Sequence, residues 1–221
     1  MKIEYLGHSC FIFEDSNTRI LIDPFLTGNE LASQTADQID VDYIFITHGH
    51  TDHLGDAIKI AKRTGAVVYG VVELAEKIME TEGIEVGIGN IGGKQKTPFG
   101  SVKYFPAIHG SGIAGGVASG YIFNIGGKKV YHSGDTALIA EMQFLKDEQI
   151  DVALLPIGDF FTMGPEDALI ASKLISPKYV IPMHYNTFPA IQQNPYNFKK
   201  SVEERNICKV EVLNPGESFT I

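Results

Sequence analysis

Alternating hydrophobic and polar residues open the chain and predict a hairpin of two β-strands. Residues 3–13 and 19–23 carry this pattern, and the polar residues 14–17 between them have the composition of a turn. Residues 41–47 are instead almost continuously apolar over the length of one strand, which is typical of a strand buried on both faces. This buried strand ends directly at a cluster of histidine and aspartate.

Two helices separated by a strand are predicted after this cluster. An apolar pattern of helical period covers residues 54–64 and stops at Gly65, and a strand pattern covers residues 66–69. A second helix is predicted for residues 72–82, with Gly83 as its end. The order of elements in this part of the chain is therefore β-α-β-α.

The middle of the chain has the pattern of an antiparallel sheet. Short alternating runs broken by glycine extend from residue 84 to residue 125, and the clearest of them are residues 101–105 and 120–125. Helical patterns return after Asp135. We therefore expect a mixed fold of sheets and helices.

A weak internal repeat appears when the chain is shifted against itself by 111 positions, which places residues 39–69 on residues 150–180 without a gap. The identities include Asp40 with Asp151, Thr51 with Thr162, Asp56 with Asp167, and Lys62 with Lys173. The alternative explanation is that two unrelated β-α-β units share a pattern because all such units do. The repeat favours one domain, residues 1–221, with two related halves of about 1–110 and 111–221.

The same shift sets the N-terminal hairpin, residues 10–24, beside residues 121–135. Both hairpins end in an aspartate just after a strand, Asp23 and Asp135, and this makes Asp23 the predicted counterpart of Asp135, one position away from the exact shift. This second match contains few identities, so it depends on the pattern more than on the residues themselves.

Composition and charge exclude several classes of protein. The chain has 221 residues, of which 44% are hydrophobic and 20% charged, so it can bury a core and is not disordered. Its formal net charge of −9 gives no basic surface for nucleic acid or for an anionic membrane. Cys10 and Cys208 do not form a disulfide framework or a zinc ribbon. With no signal-peptide pattern and no long apolar run, we expect a cytoplasmic protein without a membrane partner.

The cluster after the buried strand has the composition of a metal site. Residues 48–53 read His-Gly-His-Thr-Asp-His, so three imidazoles and one carboxylate lie within six residues. This mixture of ligands suits zinc, and also manganese, iron or nickel. His48 and His50 can point to one ion, while Asp52 and His53 can reach a second. The alternative, a set of polar residues that cap a helix, explains only Asp52.

Three further residues lie at predicted strand ends, where a metal ligand can be placed. They are His109, Asp135 and His184. Taken one at a time, each is more often a helix cap or a satisfied core side chain than a ligand. Their shared position at the ends of strands favours a common site.

The His-x-His-x-Asp-His motif, followed in order by a histidine, an aspartate and a final histidine, resembles the metallo-β-lactamase superfamily. Shorter segments resemble small metal-dependent hydrolases of bacteria and archaea that are related to ascorbate-6-phosphate lactonase, namely residues 7–10, 21–25, 157–159, 162–165 and 183–185. The resemblance spans most of the chain. It implies an α+β fold, a four-layer αββα sandwich with two sheets face to face, helices outside, and two similar halves.

The resemblance also implies a division of the ligands between two ions. His48, His50 and His109 would hold the first ion, Asp52, His53 and His184 the second, and Asp135 would bridge both. Two divalent ions about 3.5–4 Å apart can share a water and lower its pKa, which gives a hydroxide poised to attack a carbonyl carbon or a phosphorus. Asp52 is the predicted catalytic residue, which would orient this water and accept its proton.

Several neighbours of the motif are candidates for supporting roles. His8, after the first strand, is expected behind the ligands or facing the substrate, and Asp23 is expected to accept a hydrogen bond from a metal-bound imidazole or to form a simple turn. His132 is expected to be a packed core histidine. Residues 159–164 occupy the repeat position of the motif without its ligands, and we expect Asp159, Thr162 and Met163 to border the cleft and shape the substrate pocket.

The sequence thus predicts a metal-dependent hydrolase that uses two divalent ions, zinc before manganese, nickel or iron, to cleave a small ester, lactone or phosphoester. Two alternatives stay open: a phosphodiesterase or nuclease of the same superfamily, and a metal-binding module without catalysis. The expected partner is a small molecule, anionic substrates included because the ions would attract them. A homo-oligomer is compatible with the sequence.

Overall fold

Two seven-stranded β-sheets organise the computed structural model, which describes residues 1–80 and 83–221. In chain order the strands are β1 (Lys2–Gly7), β2 (Cys10–Asp15), β3 (Thr18–Ile22), β4 (Tyr43–Phe45), β5 (Val67–Val71), β6 (Val86–Gly89), β7 (Lys94–Thr97), β8 (Gly100–Pro106), β9 (Ser119–Ile125), β10 (Lys128–His132), β11 (Val152–Pro156), β12 (Tyr179–Met183), β13 (Lys209–Val210) and β14 (Ser218–Thr220).

Helices connect the strands. The α-helices are α1 (Thr51–Leu54), α2 (Ala57–Thr64), α3 (Val72–Met79), α4 (Pro165–Ile175) and α5 (Pro195–Glu203). Short 3-10 helices cover Ala36–Gln38, Ala140–Lys146 and Pro189–Ile191. The predicted end of the second helix, at residues 81–82, lies outside the described residues. None of the helices in the described part of the chain has the length and hydrophobicity to cross a membrane.

The two sheets repeat one arrangement. The first has the order β14-β1-β2-β3-β4-β5-β6 and the second the order β7-β8-β9-β10-β11-β12-β13. In both, the first four strands pair antiparallel with one another, and the fourth strand begins a parallel run that continues to the seventh. The chain passes from the first sheet to the second between β6 and β7, and only β14 returns to the first. The mixed fold of sheets and helices is thus confirmed, while the boundary of the halves near residue 110 stays a prediction.

The core lies between the sheets and again between each sheet and its helices. Phe45 of β4 contacts Tyr121 and Phe123 of β9 with ring centroids 5.2 Å and 4.9 Å apart, so the two sheets pack face to face. In β11, Val152 and Leu154 join this central core, while the alternate residues pack against α4 and α5. This period-two alternation places helices outside both sheets and gives the four layers that the resemblance implies.

Two sequence-based boundaries are wrong, and both affect the site. We predicted one strand over residues 3–13, but the chain reverses between β1 and β2, where Gly7 and His8 adopt left-handed φ angles of 115° and 57°. The alternation of hydrophobic and polar residues continues through this tight turn, so the sequence pattern does not reveal the turn. The single helix predicted for residues 54–64 is broken at Gly55, which has a φ of 41°. The break leaves Asp52 and His53 of the metal motif on their own short helix, α1, with His50 as its N-cap residue.

Candidate metal centre

The predicted site residues lie at the carboxyl ends of strands that run in one direction. Each follows the last residue of a strand closely: His8 follows β1, Asp23 follows β3, His48 follows β4, His109 follows β8, Asp135 follows β10 and His184 follows β12. Carboxyl ends of strands with one direction meet at one edge of a sheet, and the two sheets face each other. The backbone N–H of His184 donates to the carbonyl of His8 at 2.8 Å, which joins the two edges directly.

Three of these residues have a strained backbone. His8, Asp23 and His184 have positive φ angles of 57°, 45° and 55°. A left-handed conformation is unfavourable for residues other than glycine, and such strain concentrates at functional sites because surrounding contacts must hold it. All three side chains reach the histidine cluster: the ring centroids of His8 and His184 are 4.1 Å apart, and the Asp23 carboxylate bonds to His53.

The first group of candidate ligands is His48, His50 and His109. One ring nitrogen from each lies within 4.8 Å of the others, and His48 Nε2 is 2.9 Å from His50 Nδ1. These are the three residues that the resemblance assigns to the first ion. His50 caps the start of α1, whereas His109 comes from the other sheet, so both sheets contribute to the group.

The second group contains Asp52, His53 and His184, again as the resemblance implies, with His8 added. Asp135 lies between the two groups. Its Oδ1 is 3.2 Å from His53 Nε2, while its Oδ2 is 3.0 Å from His184 Nε2 and 3.6 Å from His109 Nε2. One carboxylate therefore faces imidazoles of both groups, as a bridging ligand must.

Asp23 fixes the orientation of two imidazoles from behind. Its Oδ2 accepts from His53 Nδ1 at 2.7 Å and from the hydroxyl of Thr47 at 2.7 Å. Since the carboxylate only accepts, the Thr47 hydroxyl must donate to it, and Thr47 Oγ1 can then accept from His48 Nδ1 at 3.0 Å. Both Nδ1 atoms thus carry protons, and the Nε2 atoms of His48 and His53 present lone pairs to the centre.

The donor set fits divalent metal ions. The buried atoms at the centre without a hydrogen-bond partner among the described residues include His53 Nε2, His184 Nε2 and Asp135 Oδ1. In the neutral tautomer set by Asp23, His53 Nε2 would face Asp135 Oδ1 as one lone pair against another, so this position favours a cation between the two atoms, either a proton or a metal ion. Imidazole nitrogen with carboxylate oxygen suits zinc and its neighbours in the transition series.

Burial and charge shift the pKa values in directions that fit the same picture. Burial lowers the pKa of His48 to about 2, so that its ring is neutral and able to act as a ligand. Burial also works to lower the pKa of His53, but the carboxylates of Asp135 and Asp23 outweigh it and raise that pKa well above its usual value. His53 therefore lies where a positive charge is strongly favoured.

His8 joins the centre from β1. Its Nδ1 is 2.9 Å from Thr187 Oγ1, and its Nε2 is 3.3 Å from Asp52 Oδ2. Burial lowers the pKa of His8 to about 4, which keeps the ring neutral at pH 7. The remaining histidine, His132, is buried and bonds to backbone through both ring nitrogens, so its prediction as a core residue is confirmed.

A cavity of about 700 Å³ opens over the centre. Of residues 159–164 it is Phe161 that lines this cavity. Met163 is buried in the core between the second sheet and its helices, so its prediction as a pocket residue is wrong. Asp159 is exposed, and its backbone closes a tight turn with Met163. Asp159 and Thr162 as substrate contacts stay predictions.

Sequence reasoning missed several residues of the site. Thr47 and Thr187 contact the rings of His48 and His8, and Phe25 lines the cavity. Phe161 also lines it, and it belongs to the segment 159–164 that was expected to border the cleft. A threonine at the end of an apolar strand is indistinguishable from an ordinary strand residue. The only signal for Thr47 is that it comes directly before the motif.

Comparison with known proteins agrees with this geometry. A family model described as a beta-lactamase superfamily domain matches residues 2–184. UPF0173 metal-dependent hydrolases of Heliobacterium modesticaldum and Symbiobacterium thermophilum are each 46% identical to this chain and cover all of it, with 98% and 100% of their own lengths matched.

A solved structure supports the same assignment. Igni18, described as a novel metallo hydrolase from the archaeon Ignicoccus hospitalis, superposes with a TM-score of 0.93 at 42% identity, over 100% of this chain and 98% of its own. The narrower relation to ascorbate-6-phosphate lactonase stays a prediction. The chain belongs to the metallo-β-lactamase superfamily, within the UPF0173 metal-dependent hydrolases.

Proposed function

We propose that this protein is a dinuclear metal hydrolase that cleaves a small ester, lactone or phosphoester. The observation that carries the proposal is the position of Asp135, whose two oxygens face His53 on one side and His184 and His109 on the other at 3.0–3.6 Å. A carboxylate shared in this way fits two cations better than one. His48, His50 and His109 would hold the first ion, and Asp52, His53 and His184 the second.

The ions and the side chain of Asp52 would have separate roles in hydrolysis. When bound, two divalent ions lower the pKa of a shared water towards neutrality and polarise the group under attack. Asp52 lines the cavity, and its pKa is low because hydrogen bonding from His8 and the nearby histidine charges outweigh the effect of burial. Its ionised carboxylate can accept a hydrogen bond from the attacking water and align that water with the substrate.

Zinc is the first candidate for both positions because five of the seven donors are imidazoles. Manganese, nickel and iron share these ligand preferences to differing degrees. Reconstitution of metal-free protein with each ion in turn identifies the metal that supports catalysis.

The proposal is tested by hydrolysis assays on chelator-treated and reconstituted protein, with 4-nitrophenyl acetate, a γ-lactone and bis(4-nitrophenyl) phosphate as substrates. We expect hydrolysis only after reconstitution, and a loss of about 10²–10⁴-fold in kcat for Asp52→Asn. Asp167→Asn, which changes an exposed carboxylate of α4, serves as the matched control and keeps full activity. Hydrolysis that persists without metal contradicts the proposal, and metal-loaded protein inactive on all three substrates favours the non-catalytic module.

A further inference from the structure

The wall of the cavity above the metal centre is apolar and aromatic. Phe25, Phe161, Phe188, Pro189 and Ala190 form it, while the floor consists of the candidate ligands and Thr51. Phe25 and Phe188 pack edge-on against the ring of His8, with centroids 5.5 Å away in both cases, so their positions are fixed relative to the floor.

Phe161 is placed at the mouth of this cavity by a strained turn. Asp159 and Phe160 before it have positive φ angles of 62° and 35°, and Phe161 itself is 52% exposed. The Phe160 ring packs edge-on against it at 4.7 Å. A large apolar ring held in water by a strained backbone is unfavourable for folding alone, and it gains burial when an apolar ligand covers it.

The cavity offers no cationic side chain. Among the described residues that line it there is no lysine or arginine, whereas Asp52 and Asp135 both lie on its floor. Lys128, Lys129 and Lys178 line a different depression, at the amino ends of β10 to β12 and therefore at the opposite edge of the second sheet. Apart from the metal ions, a charged group on the substrate would meet no cation here, whereas lysine and arginine are the side chains that usually bind a phosphate.

We propose that the substrate is a neutral carboxylic ester or lactone whose apolar acyl group lies against Phe25, Phe161 and Phe188. This inference rests on the proposed hydrolase function and narrows it. In the reaction, the oxygen of water forms a bond to the acyl carbon and the acyl C–O bond breaks. The leaving oxygen takes a proton, and the products are a carboxylic acid and an alcohol, or one hydroxy acid from a lactone.

The volume of about 700 Å³ suits this class of substrate, since pockets for small ligands span roughly 300–1,000 Å³ and are lined mainly by apolar groups. A single small acyl group such as acetyl would leave most of the wall uncovered. The apolar wall therefore favours acyl groups of several carbons, aliphatic or aromatic.

A matched pair of substrates tests the inference on the metal-loaded protein: 4-nitrophenyl hexanoate, which is neutral, and 4-nitrophenyl hexyl phosphate, which has the same chain length but a negative charge. We expect the neutral ester to have at least a tenfold higher kcat/KM. Along the series from acetate to hexanoate, kcat/KM should rise by about two- to fourfold for each methylene that the wall buries.

Variants of the wall provide a second, independent readout. Phe161→Ala should lower kcat/KM for the hexanoate by about three- to tenfold and leave kcat/KM for the acetate nearly unchanged. Phe161→Arg should shift preference towards the phosphodiester. Phe144→Ala is the matched control, because Phe144 is 64% exposed and lies outside the cavity lining. This control should leave kcat/KM unchanged for both substrates.

The outcomes separate the inference from the function on which it rests. Metal-loaded protein that hydrolyses neither substrate contradicts the hydrolase function. Hydrolysis of the phosphodiester in preference to the ester, or a flat dependence on acyl length with no effect of Phe161→Ala, leaves the hydrolase function intact and overturns the inference. Binding of the neutral ketone 4-phenyl-2-butanone, measured by calorimetry, should weaken in Phe161→Ala as well.

Discussion

A single buried carboxylate, that of Asp23, determines how two candidate ligands, His53 and His48, are oriented. It accepts from His53 directly and reaches His48 through the hydroxyl of Thr47, and its Oδ1 accepts from the backbone N–H of Thr47 at 2.8 Å. Asp23 is fully buried and its pKa is lowered, because the neighbouring histidine charges outweigh the opposing effect of burial. The orientation of the two imidazoles thus depends on one ionised side chain.

Asp23→Asn should weaken metal binding by about 10–100-fold, because an amide has one accepting oxygen and cannot accept from His53 Nδ1, the Thr47 hydroxyl and the Thr47 backbone N–H together, as the carboxylate does. Competition with a calibrated chelator measures the affinity. Thr47→Val is the informative companion variant, because it removes only the link to His48. It should therefore weaken binding of the first ion more than binding of the second. Unchanged affinity in Asp23→Asn would show that these hydrogen bonds do not position the ligands.

The sequence predicts some residues of this centre and misses others. The histidines and aspartates of the site stand out because they cluster or follow strands, and the structure brings all seven candidate ligands together. Thr47 and Phe25 carry no such signal, because a hydroxyl at a strand end and a phenylalanine in a loop are common everywhere. Met163 illustrates the opposite error, since proximity in sequence to the cleft does not decide on which side of the turn a side chain packs.

At the level of elements, the loop over residues 110–116 supports the metal motif. The backbone N–H of Gly49 donates to the carbonyl of Ser111 at 2.7 Å. Gly112 has a φ of 67°, and a Cβ there would lie 2.6 Å from the carbonyl carbon of Gly49 and 2.7 Å from His50 N. The loop therefore packs directly on the backbone that separates His48 from His50.

Gly112→Ala should displace this backbone and lower both metal affinity and stability, because the clash involves main-chain atoms that cannot rotate away. Gly115→Ala is a matched control, since Gly115 also has a positive φ, of 75°, but a Cβ there meets nothing within 4 Å. The control should cost only the roughly 1–2 kcal/mol of a left-handed alanine. Chelator competition and urea unfolding separate the two effects, and equal metal affinities in both variants would contradict this role of the loop.

The opposite edge of the second sheet depends on Asp151, at the start of β11. Its carboxylate accepts from the backbone N–H of Lys129 at 2.8 Å and pairs with Lys178 Nζ at 2.7 Å. Burial works to raise the pKa of Asp151, but these contacts outweigh it and hold the pKa below 3.8. A carboxylate with a lowered folded pKa stabilises the protein above the unfolded value and loses this contribution as pH falls through the folded one.

Asp151→Asn should therefore lower the free energy of unfolding at pH 7 by about 1–3 kcal/mol, and the difference from the wild type should shrink below about pH 4. Urea unfolding at pH 7, 5 and 3.5 measures it, with Asp147→Asn, an exposed carboxylate nearby, as the control. A difference that is constant over this range would show that the charge of Asp151 does not contribute.

Comparison of the two sheets changes the register expected from the internal repeat. The shift of 111 positions pairs Asp40 with Asp151, but in the structure Asp42 holds the place of Asp151, because its carboxylate accepts from Arg19 N as that of Asp151 does from Lys129 N. In the same way, the backbone N–H of Asp23 donates to the carbonyl of Phe45, and that of Ser133 donates to the carbonyl of Leu154. Asp23 and Ser133 therefore hold equivalent places in the two sheets.

The prediction that Asp23 is the counterpart of Asp135 is therefore wrong. Loops of different length connect equivalent strands, and a slip of two residues keeps every side chain on its own face, so hydrophobic patterns alone do not detect it.

At the scale of the whole molecule, the site exists because the two sheets place their carboxyl-end edges together. Neither sheet holds a complete group of ligands: His48, His50, Asp52 and His53 come from the first, and His109, Asp135 and His184 from the second. Metal binding should therefore stabilise the packing of the sheets against each other. The fold class and the strand-end positions of these residues follow from the sequence pattern, but the convergence of the two edges depends on long-range packing.

Removal of the metal should accordingly lower the melting temperature of the entire protein in one transition. Ions bound at 1,000 times their dissociation constant contribute about 4 kcal/mol each. Scanning calorimetry with and without a chelator measures the change, and the chelator should shift the melting temperature of Asp135→Ala less than that of the wild type. A melting temperature unaffected by the chelator in the wild type would mean that the ions do not join the sheets.

The bridging position of Asp135 is tested most directly by counting ions in the intact protein. Native mass spectrometry of metal-free protein titrated with zinc should show about two ions per chain in the wild type. In Asp135→Ala both ions should bind more weakly, since the carboxylate faces both groups of ligands. A wild-type protein that saturates with one ion, or an Asp135→Ala variant that binds two ions with unchanged affinity, would contradict the dinuclear centre.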